Sequence, residues 1–430
     1  MQINQIHIYN FKGISDAEFK FDKRFNLIIG NNGTGKTSIL EAIGVALGGF
    51  IAGIDGVNSV HFTNDEIRME KELLGEGSYT PKYKTPVKVE CNVTLDGNTY
   101  AFTRQKKSIN SSRSTVEPRD ICKKASSLHD DNNSTLPLIS YQGFSRIANQ
   151  KRDKWSPKSN DYQSRSNGYI DCLDEASNTI MITNWFKHME QVSWQYKKKI
   201  EEYEVVKNTV SKFMSKMLNV ECSNIFYDSR TNELIYTINN ESLPVRFLSS
   251  GFRTLIGMVL DISYRMAVLN PNLLGNIIEK TPGIVLIDEL DMHLHPKWQW
   301  MVVSALKETF PSIQFIATTH SPLIIASCEN ENLISLNETN LAPQYLKTTK
   351  GWQIDDVLLN IMQTDYRDPD TIKKLNRISD LTKRKLSHTI TELEEKEYHN
   401  LISDVKQLLP EHDIGLDEVA LSSIDDLLGG

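Results

Sequence analysis

Nowhere in these 430 residues does an apolar run approach the roughly 18 that cross a bilayer, so no membrane contact is expected. Cysteine is sparse. The five (Cys91, Cys122, Cys172, Cys222 and Cys328) are scattered without CxxC spacing. That excludes a disulfide scaffold or zinc finger and points to a reducing, cytoplasmic compartment. The opening MQINQIHIYN lacks the basic and apolar regions of a secretion signal. No repeat of fixed period is present, which excludes a solenoid. What is there suits a globular chain: 39% apolar and 24% charged residues, with room for two or three domains at about 150 residues each.

Net charge is −7, and it is uneven. Residues 104–165 carry 13 Lys/Arg against 6 Asp/Glu, whereas residues 391–430 carry 11 Asp/Glu against 2 Lys. A basic middle is a candidate DNA contact, and an acidic end a candidate docking tail.

The first 50 residues read as strands, a glycine loop and a helix. Phe25, Leu27, Ile28 and Ile29 form a buried-strand run, and Ile39, Leu40, Ile43 and Leu47 recur at helical spacing. Asp96-Gly97 between alternating apolar residues predicts a hairpin over 87–104. Residues 108–135, rich in Ser, Asn and charge, predict a loop, and 137–141 a strand. Residues 171–217 read as helical, either one long helix or a bent hairpin, with Trp185, Trp194, Tyr196 and Tyr203 assigned to packing. A strand pair over 223–239 precedes a helix at 250–269, a strand at 283–288, a helix at 297–309, a strand at 313–318 and a short helix at 321–327. Such alternation means a mostly parallel sheet. Polar helices close the chain after Gly351. In the last of them Leu393, Tyr398, Leu401, Ile402, Val405, Leu408 and Leu409 recur at helical spacing, as in a helix that folds back or docks on a partner.

Gly30-Asn31-Asn32-Gly33-Thr34-Gly35-Lys36-Thr37, followed by Ser38, is a full GxxxxGK[ST] between strand and helix. Glycines let backbone N–H groups turn toward phosphate oxygens; Lys36 neutralises the β/γ-phosphates, and the Thr37 hydroxyl ligates Mg²⁺. Gly283-Ile284-Val285-Leu286-Ile287-Asp288-Glu289 is an apolar strand that delivers two acids to a sheet edge. Asp288 is suited to hold Mg²⁺, and Glu289 to deprotonate the attacking water. His320, after the strand 314–318, can hydrogen-bond a γ-phosphate or that water. Ser249-Ser250-Gly251, opening a helix, is a candidate anion site.

The order of these motifs resembles the ATP-binding cassette superfamily, within it the ATPases related to RecF and to structural-maintenance proteins. The run Leu286 to Gln299, with Phe310-Pro311 and Thr318 to Pro322, is most similar to ATPase subunits of anti-phage defence systems, above all the PtuA-type ATPases of the Septu system. Leu248-Ser249-Ser250-Gly251-Phe252 departs from the transporter signature LSGGQ, with Ser250 for a glycine and Phe252 for the glutamine.

The resemblance implies an α/β P-loop fold of the cassette type: a mostly parallel sheet flanked by helices, an antiparallel β subdomain, a short helical insertion and a helical tail. It divides the chain into a first ATPase lobe (1–142), an insertion (143–235), a second lobe (236–345) and an acidic partner-docking region (346–430). It places Gln142 where a glutamine senses Mg²⁺ and the attacking water, and it implies a homodimer with ATP sandwiched between residues 30–38 of one copy and 249–251 of another. With no HNH-type His/Asn cluster visible and only about 90 residues after 340, any nucleic-acid cutting is expected from a separate partner, and the resemblance implies that this partner is an HNH nuclease. A DNA-repair or chromosome-maintenance ATPase and a nucleotide-switched scaffold with little turnover remain alternative readings.

Overall fold

A computed structural model describes residues 1–75, 78–143, 164–174, 179–220, 222–239, 241–329, 331–336, 342–346 and 348–410. The chain divides into two compact units, Met1–Trp352 and Gln353–Gly430.

The first unit runs β1 (Gln2–Phe11), β2 (Ile14–Lys20), β3 (Phe25–Ile29), α1 (Lys36–Ile51), β4 (Met69–Gly75), β5 (Ser78–Tyr83), β6 (Val87–Leu95), β7 (Asn98–Lys106), β8 (Thr115–Glu117), α2 (Asp120–Asp130) and β9 (Leu138–Gln142). It continues with α3 (Thr179–Tyr196), α4 (Glu201–Leu218), β10 (Cys222–Asp228), β11 (Glu233–Ile238), β12 (Glu241–Pro244), α5 (Ser250–Leu269), α6 (Ile277–Lys280) and β13 (Gly283–Ile287). Then come α7 (Pro296–Gln299), α8 (Val302–Thr309), β14 (Ile313–Thr318), α9 (Pro322–Ala326), β15 (Asn332–Leu336) and β16 (Pro343–Leu346).

Among the described residues, a six-stranded sheet has the order β16-β15-β3-β14-β13-β9. Every pairing in it is parallel except β15 with β16. β3, β9, β13 and β14 are buried along their whole length, as strands covered on both faces must be. A five-stranded antiparallel sheet, β2-β1-β6-β7-β8, forms a second layer. Its β6–β7 hairpin turns at Asp96 and Gly97, both with positive φ, which matches the right-handed twist of the flanking strands.

α1 packs against strands of both sheets. The helical spacing of Ile39, Leu40, Ile43 and Leu47 marks only one face, yet 13 of its residues are buried. Gly49 allows the second contact: a Cβ there would stand 2.9 Å from the Phe102 ring.

Four local expectations change. Residues 108–135 are not simply a loop: β8 and α2 lie within them, and α2 buries Ile121, Cys122, Ala125 and Leu128 at helical spacing that the serines and lysines dilute. The helix expected over 297–309 is split into α7 and α8. The strand pair gains β12, so the expected boundary at residue 235 falls inside β11 of a three-stranded sheet. In the bent hairpin α3–α4, Trp185 and Tyr203 are packed, whereas Trp194 and Tyr196 are exposed because they fall on the last turn, beyond the core.

Part of the basic middle is drawn inward, whereas Lys107, Arg113, Arg119 and Lys123 are exposed. Arg104 is buried and donates to Ser59 Oγ (2.9 Å) and the Val60 carbonyl (2.6 Å), and burial lowers its pKa to about 10. Lys106 donates to Asn64 Oδ1 at 2.6 Å. Arg165 donates to the carbonyls of Leu269, Asp131 and Ser134. These cations satisfy loop carbonyls internally, where no phosphate reaches them. Lys151, Arg152 and Lys154 lie outside the described residues.

The second unit holds α10 (Ile354–Asn360), α11 (Pro369–Leu386) and α12 (Glu392–Leu408). α12 folds back on α11: Tyr398 and Val405 pack with Ile378 and Leu381 in a buried cluster, flanked by Leu401, Ile402 and Leu409. α11 cations pair with Glu394, Glu397 and Asp404 of α12. Arg377 grips Glu397 through two bonds of 2.9 and 2.8 Å, and Arg384 donates to Glu394 at 2.7 Å. The acids of residues 411–430 lie outside the described residues. Leu393 and Leu408 stay exposed.

Candidate functional site

The loop Gly30–Gly35 leaves the buried end of β3 and enters α1. Gly33 (φ 81°) and Gly35 (φ 84°) adopt the left-handed conformation that glycine takes without steric cost. A Cβ at Gly30 would meet Thr34 Oγ1 at 2.9 Å and Leu336 at 3.3 Å. Thr34 Oγ1 ties the loop by donating to the Asn31 carbonyl at 2.8 Å. Asn31, Asn32 and Gly33 are exposed, and Ser38 is half-buried in the first turn of α1. The first amides of such a helix have no intrahelical acceptor, an arrangement suited to an anion. Lys36 Nζ donates to the Gly30 and Asn31 carbonyls at 2.8 and 2.9 Å, which holds the ammonium at the loop. Burial lowers its pKa from the ordinary 10.5, against the pull of Asp288, Glu289 and Asp291.

Asp288 follows β13, next to both neighbouring strands. Its N–H donates to the Gln142 carbonyl at 2.9 Å. Thr37 Oγ1 donates to Oδ2 at 2.9 Å and Thr318 Oγ1 to Oδ1 at 2.6 Å, so one carboxylate joins the phosphate loop, β13 and β14. Thr318 Oγ1 also accepts the Glu289 N–H at 2.8 Å. Glu289 itself is half-buried with φ 49°, an uncommon conformation of the kind that clusters at functional sites. Thr37, Asp288 and Glu289 are thereby brought to one sheet edge.

His320 shares that edge. Asp291 accepts from Thr319 Oγ1 at 2.5 Å and from the His320 N–H at 3.1 Å, and Ser321 Oγ donates to Gln299 Oε1 at 2.6 Å. Burial, then the Lys36 charge, lower the His320 pKa from 6.5, against Asp291 and Asp288. Thr318, Asp291 and Gln299 were not legible as site residues. Asp291 and Gln299 stand in the motif run, but nothing in it reveals what they bind.

Gln142 lies beside Ile287 in the sheet, and its amide nitrogen is engaged on the α5 side. Nε2 donates to Asp261 Oδ2 and to Ser140 Oγ, both at 2.8 Å. Asp261 is in turn held by Arg265, whose Nη1 reaches the Gly168 and Ile170 carbonyls. This buried network, missed from sequence, connects the sheet edge to α5.

Ser249 is exposed at the start of α5, and its hydroxyl makes no cap bond. Ser250 accepts from Thr254 Oγ1 through its carbonyl. Gly251 is buried: a Cβ would stand 2.6 Å from the His293 carbonyl and 3.0 Å from the Trp298 ring. Phe252 meets Trp298 edge to face at 5.0 Å. The start of α5 thus rests on the segment that follows the acid pair. His295 Nδ1 accepts from Lys297 N and caps α7.

A glycine loop entering a buried helix, an acid pair at the end of the parallel strand β13 and a histidine at the end of β14 define a P-loop nucleotide-binding fold of the ATP-binding cassette type. The family described as AAA domain matches residues 5–221, half of the chain, and the chain belongs to that family. The chain is 28% identical over 422 residues to the retron Vc95 probable ATPase of Vibrio cholerae serotype O1 biovar El Tor, covering 85% of this chain and 79% of that one. It is 25% identical over 387 residues to the Septu protein PtuA of Bacillus thuringiensis, covering 84% of each. A solved SMC head bound to the C-winged helix domain of ScpA superimposes with a TM-score of 0.49 at 18% identity, over 80% of this chain and 98% of that one. Among the described residues no helix is long and apolar enough to cross a membrane.

Proposed function

We propose that this chain binds and hydrolyses ATP with Mg²⁺ as the ATPase subunit of an anti-phage defence complex, where it controls a separate nuclease subunit of HNH type. The observation that carries the ATPase reading is the Asp288 carboxylate held between the Thr37 and Thr318 hydroxyls, with Glu289 beside it. The defence context rests on the likeness to the retron and Septu proteins.

Two hard oxygen donors, Thr37 Oγ1 and Asp288 Oδ2, stand 2.9 Å apart next to the phosphate loop, a donor set that fits Mg²⁺. When bound, Mg²⁺ supplies neutralisation of the charge that develops on the transferred phosphoryl group. The loop amides of residues 30–38 and Lys36 Nζ hold the β/γ-phosphates. Glu289 takes the proton of the attacking water at a carboxylate oxygen. His320, neutral at pH 7 by its lowered pKa, offers one ring N–H to the γ-phosphate or the water. Gln142 senses the same water and metal, and its Nε2 bond to Asp261 couples it to α5. Ser249, Ser250 and Gly251 of a second copy close the sandwich over the γ-phosphate.

Lys36→Ala should abolish tight ATP binding. Glu289→Gln should keep binding and slow hydrolysis by roughly 10²–10⁴. Unchanged turnover in Glu289→Gln overturns the base assignment. Co-purification from the native operon, with mass spectrometry of what stays bound, tests the partner; recovery without any nuclease overturns that part.

A further inference from the structure

The α3–α4 hairpin ends in a tip that the nucleotide site does not use. Lower in the hairpin, aromatic residues are committed to packing: Trp185 meets Tyr264 at 5.3 Å and Tyr203 at 6.0 Å between ring centroids. The last turn differs. Trp194 is 83% exposed and Tyr196 67%, and Lys197, Lys198 and Lys199 follow, all exposed. The turn is closed rather than frayed: Lys198 N donates to the Ser193 carbonyl at 3.2 Å, and Ser193 Oγ donates to the Lys198 carbonyl at 2.8 Å. Lys197 takes φ 50° to make that closure.

Acids nearby reduce but do not cancel this charge. Glu204 is paired with Lys207, and Glu190 accepts from the Tyr203 hydroxyl. Glu201 and Glu202 sit in the first turn of α4, where the helix dipole offsets part of their charge.

One exposed aromatic needs no explanation. Two rings beside a lysine triplet on a closed turn match a specific chemistry: flat faces for unpaired bases and ammonium groups for phosphates. A duplex hides its base faces, so the rings would have no counterpart there. An anionic membrane would use the lysines but needs aliphatic area, and the tip's Val192 and Ile200 are half-buried in the hairpin.

We propose that the α3–α4 tip is a contact site for single-stranded nucleic acid, with Trp194 and Tyr196 as stacking platforms and Lys197, Lys198 and Lys199 as phosphate contacts. The proposal is independent of the nucleotide site and of its assigned chemistry.

The test is fluorescence anisotropy of a labelled oligo(dT) or oligo(rU) of roughly 16 nucleotides with the full-length protein. Trp194→Ala should weaken binding about tenfold, the worth of one stacked base. Replacing the three lysines by Ala should lower the slope of log affinity against log salt by about 2. Because Trp194 buries almost nothing, its variant should keep the wild-type melting temperature and basal ATP hydrolysis. No oligonucleotide binding at about 50 mM salt overturns the proposal. So does wild-type binding by both the Trp194→Ala and the lysine variants, or a tip dependence seen only with phosphatidylglycerol vesicles.

Discussion

Replacing Asp261 by Asn removes one charge and almost no volume. Asp261 and Arg265 are each 3% exposed. Arg265 Nε donates to both carboxylate oxygens at 2.9 and 3.0 Å, and Ser140 Oγ and Gln142 Nε2 donate to the same group at 2.9 and 2.8 Å. In the variant the guanidinium keeps its charge while its counter-ion is gone. Breaking a buried pair in this way costs about 3–5 kcal/mol, a factor of roughly 10²–10⁴ in the folding equilibrium. Ser140→Ala, by contrast, removes one hydrogen bond from a carboxylate that keeps its other donors, and should cost only about 1–2 kcal/mol. Urea unfolding followed by tryptophan emission reads both, because Trp185 packs edge to face against Tyr264, the neighbour of Arg265. An Asp261→Asn midpoint equal to wild type, or a Ser140→Ala loss as large as that of Asp261→Asn, would refute the view that this ion pair anchors α5 to the sheet edge.

Gly251→Val has no room against the His293 carbonyl and Trp298, and should slow hydrolysis on the order of 10²-fold while calorimetric ATP affinity holds; unchanged turnover would remove α5 placement from the mechanism. The His320 pKa is lowered from 6.5, so the unfolded chain binds its proton first: stability is complete above 6.5 and falls as pH drops below it. His320→Gln should flatten that acid limb of the urea midpoint, and an unaltered limb would assign it to other groups. Deleting residues 388–430 removes α12 and bares Ile378 and Leu381, so that truncation should aggregate, whereas a chain ending at Trp352 should stay soluble and hydrolyse ATP. Equal solubility of the two truncations by light scattering would count against α12 as the cover of α11.

How far the candidate site could be read in advance follows the range of each interaction. Gly30–Ser38, Asp288, Glu289 and His320 are legible because each depends on its own few neighbours: a glycine loop between strand and helix, acids or a histidine at a strand end. Thr318 and Asp291 act on groups about 30 residues away, so nothing local marks them. Gln142 closes β9, but what its amide nitrogen binds depends on Asp261, 119 residues later.

Sequence alone determined the alternation of strands and helices, the phosphate loop and the acid pair, since periodicity and turn chemistry act within a few residues. Only the tertiary structure decided what covers each apolar face. It buried α1 nearly all round between two sheets, ordered α2 inside an apparently polar loop, drew Arg104 and Arg165 inward and paired Glu394 and Glu397 of α12 with arginines of α11. It also left Trp194 and Tyr196 in solvent. A hydrophobic pattern states that a face wants cover; which partner arrives, and where the cover ends, is set by packing between segments far apart in the chain.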